Sequence, residues 1–408
     1  MALALKRKIS FPVTEKDYLK LICNFIYRLG LADCWYEKRE IRYPILNKAF
    51  SLIVNIFWVI FTVNVLAANY RTDLTLKESN DVLLFSYGLP AISLKVIILY
   101  AKKEEIKVFF KKLLEGEVTQ HSNKRAIRTQ SLSVFNLIYF LKFVYFTISF
   151  FRGIRHLLLT SLNYVFLSSY TVSILKFYLN FSDIPVRVEV LYYPKTSDTG
   201  LLVNFIRFLA IVHFWYIICI MNSTDYLCLC TLVFIKYKFI RVRMFFECLG
   251  KKSKSSKKFE KEFLDGVVLL KHALWCARNV QNTIGSIYSV QIVESITLLV
   301  VILLKAVVMC VGSYISIVIL TGVYMTYSAN ITYEALQVPT AIFHCGWEKV
   351  KIRPGLRKLI VVTLQQSQKP LYMTAFGVIN LSYENFLVVL RLSYSFFVVM
   401  RDSKGTRT

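Results

Sequence analysis

Lys95, Lys142, Arg207, Glu294, Lys305, Glu384 and Arg391 each fall within a stretch that is otherwise apolar enough to lie in lipid. An ionisable side chain there costs a few kcal/mol by insertion scales, so it defaults to a functional role or a dedicated partner. Lys95, Arg207 and Lys305 stand near the ends of their stretches, where a long side chain snorkels to the headgroups. Lys142 and Glu294 stand nearer the middle, and two readings are open: they pair with each other, or they line a wet crevice. Arg391 follows Glu384 by seven residues, so both project from one helix face, a structural arrangement. Other chemistry finds no foothold. The histidines form no His-x-x-x-His pair, and there is neither a Gly-rich phosphate loop nor an exposed serine elbow. Cys228 and Cys230 lack a second Cys or His pair at ligand spacing, so they read as small apolar wall rather than zinc ligands. No catalytic residue, metal or cofactor is expected, and the protein reads as a non-enzyme.

The elements that position these side chains follow from composition. Of 408 residues 56% are hydrophobic and 15% aromatic, above the 45–50% apolar content usual for soluble domains. There is no repeat at a fixed period and no long Gly-, Pro- or Ser-rich run, so a single helical membrane domain is expected over 1–408. The formal charge of +26 resides in Lys/Arg blocks between apolar segments, not among aromatics on one polar surface, which argues against a nucleic-acid partner. Nine cysteines, an odd number, sit in apolar segments or basic flanks, so no disulfide framework is expected. The N-terminal MALALKRKIS leads into FPVTEKDYLK rather than an apolar h-region, which disfavours a cleaved signal peptide.

A hydrocarbon core about 30 Å thick requires roughly 20 apolar residues per helix. That criterion selects spans near 45–68, 82–101, 131–151, 201–222, 286–306, 307–328 and 372–400, an all-α polytopic membrane protein with a seven-helix bundle. Residues 1–44 hold nine Lys/Arg, 102–130 eight, 236–285 twelve and 331–370 six, against two in 69–81. The basic set is cytoplasmic by the positive-inside rule, which puts the N-terminus inside. Residues 157–178 are apolar enough for an eighth span. A bent continuation of the third helix or a lid over the bundle is preferred, because an eighth span would carry the very basic 236–285 loop outside. Segment 201–235 is too long for one perpendicular span, and Asn222, Ser223, Thr224 and Asp225 mark its exit from the membrane. Beyond it the amphipathic run FEKEFLDGVVLLKHALWCARNV predicts a helix packed on a cytosolic bundle. The cytoplasmic helical anchor region is thus placed at about 236–285 and 331–371. Of four N-x-S/T sequons only Asn180 falls clearly outside, as a glycosylation candidate.

Residues 327–401 carry a specific likeness. Ala341 to Trp347 forms an A-hydrophobic-aromatic…W element, and a basic run then reaches Gln366-Ser367-Gln368-Lys369-Pro370. Thr374 and Ala375 follow, then Leu381, Ser382 and Phe386 as L-S-x-x-x-F, then Arg391, Ser393, Tyr394, Ser395 and Phe396 as K/R-x-S-Y-S-aromatic. In order and spacing this resembles the end of insect odorant receptors. Weaker echoes are Pro185…Tyr193-Pro194 and Asp225, and the first 130 residues match only in length and hydropathy. Pro339 and His344-Cys345-Gly346 depart from the pattern and leave the local helix geometry open.

The resemblance implies a subunit of an odorant-gated, non-selective cation channel. It would form a heterotetramer with the odorant receptor co-receptor, joined through the cytoplasmic parts of helices five to seven, as a multi-pass protein of the plasma membrane of the olfactory sensory neuron dendrite. Leu390, Tyr394, Phe397 and Arg401 fall on one face of the last span at i, i+4, i+7 and i+11, and bulky apolar groups ringed around a pore make a dewetting gate. Ordinary bundle packing is the bland reading of that face, and snorkelling is the preferred reading of Arg401. A small volatile ligand needs an aromatic cavity with few polar groups, for which Phe85, Tyr87, Tyr145, Phe146, Phe150, Phe208 and Tyr314 are the candidates. A gustatory receptor of the same superfamily is the nearest rival, but its T-Y…Q-F ending is absent. A transporter is disfavoured by the missing repeat, and a G-protein-coupled receptor by the basic, inside N-terminus.

Overall fold

In a computed structural model, residues 15–38, 44–72, 76–115, 201–250, 255–305 and 311–405 are described. They form α1 (Glu15–Arg28), α2 (Pro44–Ala67), α3 (Leu76–Ala101), α4 (Lys103–Glu115), α5 (Leu201–Gly250) and α6 (Ser256–Thr283). After these come α7 (Gly285–Lys305), α8 (Val311–Phe343), α9 (Pro354–Ser367), a hairpin of β1 (Thr374–Ala375) and β2 (Ile379–Asn380), and α10 (Tyr383–Gly405). The expected third span, the 157–178 segment and Asn180 lie outside the described residues.

α2 shows why this chain belongs in lipid. Its outer face leaves Ile45 82%, Ile53 66% and Val63 59% exposed, an apolar stripe far too large for a water-facing surface. The stretch Lys48–Tyr70 is long and apolar enough to cross a bilayer by itself. α5 is the opposite case. From Leu227 to Ile235 every side chain is buried, as expected of a helix hydrophobic all round. Its 50 residues extend about 75 Å at 1.5 Å per residue, well beyond the hydrocarbon core. Cys228 and Cys230 are part of that buried wall.

Helix directions follow from paired contacts. Gly88, Lys95 and Lys102 of α3 approach Glu294, Gln291 and Ser286 of α7 in reverse order, so the two run antiparallel. Asp225 and Arg243 of α5 meet Tyr324 and Glu334 of α8 in the same order, so those run parallel. α6 folds back along the last third of α5 and passes into α7 through a 58° bend.

The end of the molecule built from α4, α6 and the C-terminal halves of α5 and α8 is held by aromatic packing. Phe246 of α5 lies 5.6 Å from Phe263 of α6, ring centre to ring centre, and Phe263 stacks on Phe259 at 6.2 Å. Gly266 makes the approach possible: a Cβ there would meet the Phe246 ring at 2.8 Å and the Phe245 ring at 2.9 Å. Replacing Gly266 with Val is therefore expected to cost roughly 1–3 kcal/mol by overpacking, read as a lower thermal midpoint of the detergent-purified protein. At the same end Ser256 Oγ donates to the Lys351 carbonyl at 2.6 Å, tying α6 to the α8–α9 connection.

The α4–α6 contact carries a pH dependence. His272 Nε2 lies 2.8 Å from the Lys112 carbonyl and donates to it. Burial, and after it the nearby Lys238, hold the imidazole pKa below its ordinary value. The folded protein thus binds fewer protons than the unfolded chain at acid pH. The stability this contributes is complete above the ordinary histidine pKa and is lost as pH falls through it toward the lowered folded value. Acidification from about pH 7 to about pH 5 should lower the thermal midpoint less in a His272→Gln variant than in the wild type.

One sequence expectation changes here, and one point left open is resolved. The last helix starts at Tyr383, not near 372, because 372–382 holds the hairpin, in which Thr374 pairs with Asn380 and Ala375 with Ile379. Phe376 (φ 50°) and Gly377 (φ 73°) make its reversal in the left-handed region, which no helix can include. Pro339, by contrast, sits inside an unbroken α8. That helix ends where Gly346 takes φ 80° and the Trp347 indole donates to the Phe343 carbonyl at 3.1 Å.

Candidate functional site

Lys95 is wholly buried and does not snorkel. Its ammonium lies 3.0 Å from Glu294 Oε2 and 3.4 Å from Asp225 Oδ1, and it donates to Gln291 Oε1. The Tyr324 hydroxyl donates to Asp225 Oδ1 at 3.2 Å, and Gln291 Nε2 donates to Ser295 Oγ at 3.1 Å. One cation and two carboxylates, with an amide and a phenol, thus join α3, α5, α7 and α8 at a single level. Such a cluster is stable only as a set, since removing a partner leaves an uncompensated charge in a low-dielectric interior. The snorkelling reading of Lys95 is corrected: Glu294 pairs with it, whereas Lys142 lies outside the described residues. Ser223, Thr224 and Asp225 face the bundle interior; all three are buried, the two hydroxyls donating back to the Ile220 carbonyl at 2.9 and 3.1 Å.

The C-terminal motif serves to launch and hold α10. α9 stops at Ser367, whose Oγ donates to the Leu364 carbonyl at 2.9 Å; Gln366, Gln368, Lys369 and Pro370 are exposed, and a proline there ends helical continuation. The hairpin is fastened from below: Thr374 Oγ1 donates to Gln281 Oε1 at 3.1 Å, and the Phe376 amide donates to Ser289 Oγ at 2.9 Å. Ser382 is then the N-cap, accepting from the Asn385 amide at 3.2 Å, with Glu384 in the first turn to complement the helix dipole. Phe386 packs against α8 where Gly322 leaves room, since a Cβ there would sit 3.0 Å from the ring. Val389 and Ser393 are buried against the bundle.

Leu390 is half-buried and Tyr394 is 62% exposed. Phe397 and Arg401 continue the same helix, but their side chains are outside the described ones, as are those of Phe85, Phe208, Tyr314, Arg207 and Lys305. Tyr87 is exposed on α3, and Tyr145, Phe146 and Phe150 fall in residues not described. By the helix directions above, Phe85, Tyr87, Phe208 and Tyr314 all precede the buried charge cluster on its side away from α4 and α6. Glu384 and Arg391 are exposed on α10.

The family model described as 7tm Odorant receptor matches residues 75–394. The chain belongs to the odorant receptor family. Its fold is that of solved structures of an olfactory receptor, OR5 of the insect Machilis hrabei. One, in complex with eugenol, is 13% identical with a TM-score of 0.73, covering 95% of this chain and 98% of that one. The other gives 13% and 0.72, covering 94% and 97%. A search of curated proteins finds no significant match. This odorant receptor is a multi-pass membrane protein, and the matched region contains the charge cluster, the hairpin and the capped start of α10. The charge cluster escaped the sequence reading because helix rotation is not written in hydropathy. Its one signal was charge arithmetic: Lys95, Asp225 and Glu294 in apolar surroundings on three helices.

Proposed function

We propose that this odorant receptor is a subunit of an odorant-gated, non-selective cation channel that assembles with the odorant receptor co-receptor as a heterotetramer in the plasma membrane. In this arrangement the N-terminus and the α4–α6 end are cytoplasmic, and Asn180 is on the outer side. The observation that carries the reading is α10, which buries one narrow edge yet leaves Leu387 54%, Leu392 49%, Tyr394 62% and Val399 65% exposed on the single chain. A helix with that much apolar surface at the bundle's edge suits a seam between subunits, with Leu390, Tyr394, Phe397 and Arg401 toward a shared path. A small volatile would bind beyond the charge cluster, among Phe85, Tyr87, Tyr145, Phe146, Phe150, Phe208 and Tyr314. Binding there, which tightens α3, α5 and α8 about the cluster, would act on α7, against which α10 packs. The test is whole-cell recording against a panel of volatiles, with the chain expressed alone and with a co-receptor. Odorant-evoked cation current only in the co-expressing cells is expected; equal current without the co-receptor would reject the heteromer.

A further inference from the structure

A groove of about 800 Å³ opens between α2, α3 and the turn that follows α1. Along α2 its lining runs from Lys48 to Val63, about 22 Å at 1.5 Å per residue. That is the depth of one leaflet, half of a bilayer some 40–45 Å thick including headgroups.

The lining changes character along its length. At the shallow end are Lys48, exposed and with three ammonium donors, and Asp33. Next comes a rigid polar wall: Ser51 Oγ and the Tyr100 hydroxyl both donate to the Gly30 carbonyl, at 2.5 and 2.8 Å, and Asn55 Nδ2 donates to the Tyr100 hydroxyl at 3.1 Å. Gly30 (φ +76°) makes that wall possible, since a Cβ there would lie 3.2 Å from the Ser51 backbone. Deeper, Trp58 is fixed by its indole donating to Ser93 Oγ at 2.8 Å, and the rim is apolar, with Val59 59%, Val63 59% and Ile97 61% exposed. Asp33 is turned to the Trp35 amide, from which its Oδ1 accepts at 3.3 Å, and the Lys48 ammonium, a polar wall at ester height and an apolar depth follow the order of headgroup phosphate, glycerol and acyl chain in one lipid.

We infer that this groove holds a single acidic glycerophospholipid, its phosphate at Lys48 and one acyl chain along Val59 and Val63. Lys48 favours an anionic over a zwitterionic headgroup, as juxtamembrane lysines do at an anionic leaflet. The inference does not depend on gating or on the co-receptor.

Trp58 reports on the site. The full chain is reconstituted in phosphatidylcholine nanodiscs carrying a minor fraction of mid-chain brominated lipid, either phosphatidylserine or phosphatidylcholine. The Trp58 share of quenching is the difference between wild type and Trp58→Phe. It should be at least about threefold larger with the brominated phosphatidylserine, and Lys48→Glu should bring the two lipids level. Val63→Phe, which narrows the deep end from an exposed position, should weaken quenching by both. Equal quenching by the two lipids in the wild type, or a preference that survives Lys48→Glu in protein of unchanged elution and thermal midpoint, overturns the inference.

Discussion

Substituting Met for Lys95 should cost about 3–5 kcal/mol, the usual penalty for breaking a buried ion pair, and should abolish both monodisperse elution in detergent and odorant-evoked current. Among the described residues the ammonium is the one positive charge set against Asp225 and Glu294, at 3.4 and 3.0 Å, so its removal leaves two carboxylates facing each other. The same arithmetic predicts an asymmetry. Glu294→Gln leaves one cation and one anion and should be much milder than Lys95→Met. Combining Lys95→Met with Asp225→Asn and Glu294→Gln removes every formal charge and should recover most of the lost stability, because uncharged clusters carry no large desolvation penalty. Melting curves and elution profiles of the four proteins decide it: a Lys95→Met protein as stable as the wild type would mean that these charges are not coupled.

Opening the face of α10 should have the next largest effect. With Tyr394 and Phe397 replaced by Ser in the co-assembled channel, resting cation current should rise at least about tenfold. That is what lowering the barrier of a dewetted constriction by about 1.4 kcal/mol produces. Odorant-evoked current should shrink as a fraction of the total. Unchanged resting current and unchanged ion selectivity would assign this face to packing instead. Arg401→Gln, recorded in the same way, separates its two readings: an arginine beside the path repels permeant cations, so its loss raises conductance, whereas a snorkelling arginine leaves conductance as it was.

How much could be read in advance depended on what each residue was tied to. The C-terminal motif was legible because its parts are local: Ser382 caps the amide three residues on, and Pro370 follows a helix end. The amphipathic α6 was legible because periodicity records which face is buried, and the apolar run 201–235 was legibly longer than one span, although α5 continues to Gly250. Lys95 was misread because its position near the end of an apolar run fits snorkelling as well as pairing, and only the rotation of α3 relative to α5 and α7 distinguishes the two. The hairpin ahead of α10 was missed because Tyr372–Leu381 is as apolar as the helix it precedes. Only Gly377, in the left-handed region, hinted at a reversal. The groove between α2 and α3 has no linear signature at all: Leu31, Lys48 and Tyr100 come from three separate segments.

Asp225 is the twenty-fifth of the fifty residues of α5, so the buried charges grip this rod at its middle. Were α5 to tilt rigidly about that grip, about 3° would carry each tip about 2 Å, in opposite directions, over an arm of about 37 Å. Such a tilt would displace the first residues of α5 and the aromatic stack around Phe246 in opposite directions.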